Sequence, residues 1–149
     1  MVWRNAAKIA RALVGNAADW LDTNQAHEYV VERLGRFTGD VFLGELFPLP
    51  AIGLHHWPYA SQWKDRDEYR RAVWKQRRDL WREHLAASKP SLIICYGADV
   101  RPYACELFQC AERRGIYAHA GGVRVVFAPF IGGRTSKETL AEIVAAARG

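Results

Sequence analysis

Two largely apolar runs, SLIICYG at 91–97 and VRVVFAPF at 123–130, most constrain what this chain can fold into. Neither alternates polar and apolar residues, so neither reads as a strand with one wet face. Short continuous runs joined through helical segments read as strands of a parallel sheet covered on both faces. Pro102 suits the first turn of a helix over about 102–114, and Gly115 is its stop. Residues 116–119 offer a short edge strand. SKETLAEIVAAA reads as the last helix.

Upstream, DVFLGELF at 40–47 reads as another buried strand, followed by the proline-rich loop PLPAIGLHHWPYASQW. A long helix is predicted from Asp65 to Ser88, with Tyr69, Val73, Leu80, Trp81 and Leu85 on one stripe and Pro90 as its end. Before residue 40, helical spacing runs from about Trp3 to Leu21, with Gly15 and Asn16 as a break. A second short helix is predicted near Ala26 to Leu34, stopped by Gly35. The order is α-α-β-α-β-α-β-α. It predicts an α/β fold, a three-layer α/β/α stack with a small, mainly parallel sheet of three to four strands. The 149 residues suit one domain, with N-terminal helices over about 1–36 and an α/β core over about 40–147. Ligands of such sheets sit at the carboxyl ends of the strands. Here those ends lead into GELFPLP, YGADVRP and PFIGGRTS.

A net charge of +5 favours polyanionic partners without naming one. No apolar run approaches the roughly 20 residues that span a bilayer, so no membrane role is expected. The cysteines Cys95, Cys105 and Cys110 are odd in number and form no CxxC, which points to a reducing cytoplasm rather than disulfides or structural zinc. The start, MVWRNAAKIARALVG, is basic and amphipathic like a transit peptide. Asp19 and Asp22 follow soon and serines are missing, so a native helix is the better reading.

The stretch FAPFIGGRTSKETL has the chemistry of an anion site. Gly132 and Gly133 let backbone approach closely, Arg134 adds a fork of donors, and Thr135 or Ser136 caps a helix whose N–H groups are free. Thr135 and Glu138 have capping-box spacing. A plain strand-to-helix turn with an exposed arginine explains the same residues. In the long helix, Arg70, Arg71, Lys75, Arg77, Arg78 and Arg82 stand among Trp74 and Trp81. This is either a phosphate-tracking face or a solvated face over core tryptophans, and the aromatic stripe favours the second. His55 and His56 lack a nearby acid at ligand spacing, so no metal is expected there. Trp57 and Tyr59 read equally as base-stacking groups or as a lid on the core. Glu45, in an otherwise apolar strand, needs a partner or a task. No Gly-x-Ser-x-Gly elbow is present.

WREHLAASKPSLIICYGADVRPYACELF resembles the segment of the uracil-DNA glycosylase superfamily in which a helix leads through xxPxxIIxxG into a strand, a loop and a helix. VRVVFAPFIGGRTS stands in the place of that family's last motif, a strand ending in His-Pro-Ser before a helix. VFLGELFPLP with WPY resembles the strand that carries a base-reading Asn into a proline loop. The resemblance covers roughly residues 40–147. It implies DNA as partner, excision of a base, no cofactor, and a shortened or divergent member. Glu45 then stands at the base-reading Asn, and Phe130 or a neighbour at the catalytic His. Phe47, Trp57, Tyr59 and Gly97 are further base- or ligand-binding candidates. Arg134, Thr135 and Ser136, with Gly132 and Gly133, are candidates for minor-groove and phosphate contacts.

The family's first motif, a glycine-rich loop after an earlier strand, has no counterpart before residue 40. The chain therefore reads as a shortened relative or a fragment, with an exposed sheet edge through which two copies could pair. In another register, GELFP is itself that first motif. A charged Glu45 accepts and does not donate, so a base edge with N–H donors suits it better than uracil. Three readings stay open: a glycosylase-like DNA-binding domain, a non-catalytic nucleic-acid-binding or interaction module, and a small phosphate- or nucleotide-binding enzyme.

Overall fold

The computed structural model describes residues 2–15, 17–50, 56–109, 123–149 and the backbone of 116–118. The helices are α1 (Val2–Leu13), α2 (Thr23–Glu32), α3 (Arg66–Ser88), α4 (Arg101–Phe108) and α5 (Lys137–Arg148). The strands are β1 (Leu92–Tyr96), β2 (Ile116–Ala118) and β3 (Arg124–Ala128). Among the described residues helix far outweighs strand, so burial is mostly the work of helix faces. The chain divides into two compact units, Met1–Leu43 with Pro90–Gly149, and Gly44–Lys89. The N-terminal helices thus share a unit with the sheet.

In the first unit β3 pairs with β1 in parallel and with β2 in antiparallel fashion, giving the order β1-β3-β2. The register sets Tyr96 opposite Ala128 at the carboxyl ends. Helix α1 is a wedge with two buried faces. Ile9 and Ala12 pack with Ala128, Ile131, Leu140, Ile143 and Val144. Ala7 and Ala10 pack with Ala26 and Leu34, where small side chains let α1 and α2 approach closely.

Several boundaries differ from the sequence expectation. Helix α1 stops at Leu13, just ahead of the break expected at Gly15, and residues 18–21 form turns rather than a second helical piece. Buried Arg11 holds them. Its guanidinium reaches Asp19 Oδ1 at 2.8 Å and donates to the carbonyls of Asp19 and Trp20. A guanidinium 8% exposed needs such partners. Helix α2 starts before Ala26 because Asp22 caps it, accepting from the Gln25 N–H at 2.8 Å. Gly35 follows at φ +67°, and a Cβ there would lie 3.2 Å from Leu43 Cδ1. Helix α4 ends at Phe108, with Gln109 left-handed behind it. The expected stop at Gly115 lies outside the described residues.

The strand expected over 40–47 is not a strand. Val41 and Leu43 do alternate inward, but against the α1–α2 cluster, while Phe42 is 63% exposed. The carbonyls of Glu45 and Leu46 accept from the Arg77 guanidinium at 2.6 and 2.9 Å. The apolar pattern is satisfied by helix packing, and these acceptors are satisfied by a side chain, so no ladder is needed. Among the described residues the third strand is instead β2.

The second unit is built on α3. Asp65 caps it, accepting from Glu68 N–H at 2.8 Å, while Glu68 returns a carboxylate to Lys64 N–H at 2.5 Å. Tyr69 is the hub of an aromatic cluster, with Trp63, Trp57 and Phe47 ring centroids 5.0, 5.8 and 6.2 Å away. Phe47 also lies 5.9 Å from buried Trp74 and beneath Arg70. Lys89, left-handed, ends the helix before Pro90.

Burial pushes the Tyr69 phenol above its usual range, with the Leu49 backbone and Arg77 pulling it partly back and Tyr59 adding to the rise. Tyr29 is raised by burial, lowered by Arg33 and raised by Asp40. A raised phenol favours the neutral form in the folded chain, so its stabilisation is full below the unfolded value of about 10 and is lost as pH rises through the folded one. The urea midpoint is expected to hold from neutrality to about pH 9.5 and to fall above about pH 10. Tyr69→Phe should flatten that alkaline decline, as intrinsic fluorescence titrations at each pH would register.

Candidate functional site

Two of the three expected loops come together in the first unit. Gly97, at φ +100°, ends β1, and its N–H donates to Ala128 O at 3.2 Å. That bond extends the parallel pairing by one step and brings the loop after β1 beside the loop after β3. A Cβ at Gly97 would meet Asp99 and Val100 only at ordinary contact distance, so the positive φ itself selects glycine. The rings of Tyr96 and Phe130 lie 6.4 Å apart and tilted by 52°. Tyr96 is part-buried against the core, and Phe130 is 65% exposed.

The loop after β3 is fixed from within. Ile131 is buried, and the Asn5 amide of α1 donates to Ile131 O at 3.2 Å and Gly132 O at 2.8 Å. Gly132 O also accepts from Thr135 Oγ1 at 2.9 Å and Thr135 N–H at 3.2 Å. A Cβ on Gly132 would lie 2.4 Å from Phe130 Cε1, so the ring rests where a side chain would have to be. Gly133 and Arg134 remain exposed at the tip.

The hydroxyls expected to hold a phosphate are spent on the fold. Ser136, not Thr135, caps α5, accepting from the Thr139 N–H at 3.1 Å. Glu138 is held below the usual carboxylate range, first by a backbone N–H and then by the Ser136 hydroxyl. A carboxylate therefore already faces the positive end of α5 at neutral pH. Of the five expected phosphate-binding positions, Gly133 and Arg134 stay open to solvent, while Gly132, Thr135 and Ser136 build the turn.

The other candidates belong to the second unit. Glu45 is exposed and outside any strand. Phe47 and Trp57 are members of the aromatic core. Trp57 donates to Trp63 O at 2.7 Å, and Tyr59 packs 5.1 Å from Trp57 while donating to Pro50 O at 2.9 Å. Trp57 and Tyr59 are thus held as packing residues. Trp74 is likewise buried, which fits the solvated-face reading of α3. His55 lies outside the described residues, and among those described no group of three His, Cys, Asp or Glu converges as a metal would require. Among the described residues an open cleft of about 370 Å³ lies along α3 at Arg77 and Leu80, and another of about 430 Å³ at Lys8, Asp22, Thr23 and Lys137. Neither is lined by Tyr96, Gly97, Phe130 or Arg134.

No protein-family model, curated protein or solved structure matches the chain. No helix among the described residues is long and apolar enough to cross a membrane.

Sequence reasoning missed Asn5. The signal was there: it sits four and seven residues before Ile9 and Ala12, on an inward face. Replacing it with leucine keeps the shape but removes the donors from Ile131 O, and one of the donors from Gly132 O. Asn5→Leu should cost about 2 kcal/mol in urea denaturation, the range for a stranded buried acceptor. Amide hydrogen exchange at Arg134 and Thr135 should accelerate in step.

Proposed function

We propose that this chain binds nucleic acid, DNA in the first place, at the loops leaving β1 and β3, without itself breaking a glycosidic bond. The observation that carries this is a turn held from within by Asn5 and Thr135 that still presents Phe130 and Arg134 to solvent. An exposed aromatic and an exposed guanidinium on one short turn suit a base and a phosphate. The +5 net charge adds long-range attraction.

On this reading the likeness to the uracil-DNA glycosylase superfamily is one of scaffold, a three-layer α/β/α stack with a mainly parallel sheet. The parallel β1–β3 pair, with α4 between them in sequence and α5 after, supports that scaffold. Excision is less well supported, because Glu45 is an exposed residue outside any strand and Phe130 stands where the resemblance expects a His. A cytoplasmic setting belongs to the proposal. So does pairing of two copies through β1, which ends the strand order on one side.

Fluorescence anisotropy of a labelled oligonucleotide across a salt series tests the proposal. Affinity should fall with salt, and Arg134→Ala should weaken binding and reduce the log–log slope by about 1. Oligonucleotides with damaged or mismatched bases, treated with alkali after incubation, should stay uncut. Thermal stabilisation by free nucleotides but not by oligonucleotides would favour the small-ligand enzyme instead.

A further inference from the structure

We infer that this site takes an unpaired base stacked on Phe130, so that its partner is single-stranded rather than duplex nucleic acid. The inference rests on the nucleic-acid reading and narrows it.

A lone exposed apolar side chain is ordinary on a protein surface. Phe130 is not in the ordinary situation. Its ring lies against Gly132, in space that any other residue would fill with a Cβ 2.4 Å from Cε1. Gly132 is itself buried, and its carbonyl accepts from Asn5 Nδ2, Thr135 Oγ1 and Thr135 N–H. The ring therefore rests on backbone tied into the core, with 65% of the residue's surface open. Pro129 before it fixes one backbone angle, and Tyr96, anchored in the core, stands 6.4 Å away. An aromatic ring held in place loses little conformational freedom when another ring lands on it.

The charges around the ring point to a single strand. Binding a duplex from outside leans on many phosphate contacts. Here Ser136 and Thr135 are occupied, and the Glu138 carboxylate sits at the start of α5, leaving Arg134 and Lys137 as the exposed cations of the turn. A few cations beside an aromatic platform is the combination single-strand binders use. Both faces of a paired base are covered by its neighbours in the stack. A base in a single strand can offer its face to Phe130.

The experiment compares four probes by anisotropy in one buffer: a labelled oligothymidylate, the same strand with abasic residues, its duplex with oligoadenylate, and a neutral hydrophobic peptide. The intact single strand should bind about 5- to 150-fold more tightly than the abasic strand, the range expected from stacking one base. It should also bind more tightly than the duplex. Phe130→Leu should erase that preference and Phe130→Trp should keep it, which separates stacking from plain apolar contact. Gly132→Ala, which displaces the ring, should lower single-strand affinity, with circular dichroism confirming that each variant folds. Equal binding of intact, abasic and duplex probes, weakened by Arg134→Ala and untouched by Phe130→Leu, would overturn the stacking inference and leave the nucleic-acid reading standing. Binding of the peptide with no binding of any oligonucleotide would overturn both and make Phe130 a protein-docking residue.

Discussion

Asn5 gives its amide hydrogens to two carbonyls that lie 126 and 127 residues further along the chain, at Ile131 and Gly132. The first unit depends on this contact more than its size suggests. A loop leaving a strand must satisfy its backbone acceptors, and water cannot reach a buried one. The amide does so from inside the core, so the same loop can leave Phe130 and Arg134 exposed on its outer side. It also sets the height of α1 against β3 and α5, because Ile9 and Ala12 follow on the same face and fill the cluster around Leu140 and Ile143.

Arginine does comparable work elsewhere. Arg124 donates to Ala147 O at 2.7 Å at the end of α5, and Arg148 donates to Ala12 O at 2.8 Å at the end of α1. Cations at helix C-termini are favourable for the dipole as well as for the orphan carbonyls. Arg11 and Arg77 clamp further carbonyls. These four of the chain's 21 lysines and arginines thus hold backbone in place while keeping their charge.

The sequence was most legible where a local rule governs. Asp65 opens the long helix and Ser136 caps the last one, because short polar side chains satisfy N–H groups in their own neighbourhood. Gly35 and Gly97 sit where φ must be positive. The apolar runs around 92–96 and 124–128 became the parallel pair. Legibility failed where a local pattern has two physical solutions. Residues 40–47 carry the apolar run of a buried strand, but Val41 and Leu43 found helices to pack on. Trp57 and Tyr59 fit a binding loop as well as a core, and the structure packs Trp57 against Tyr69 and Tyr59 against Trp57.

By itself the sequence determined the helices and the two parallel strands, because those depend on neighbours within about one turn or one strand. It also placed the candidate site at the ends of those strands, since parallel pairing leaves both exits on one edge. Tertiary structure alone decided which residues of that site are free. Thr135, Ser136 and Glu138 are drawn into the turn, Gly132 is buried beneath Phe130, and a distant amide holds the loop. Those outcomes come from contacts between residues far apart in the chain, and composition and spacing carry no record of them.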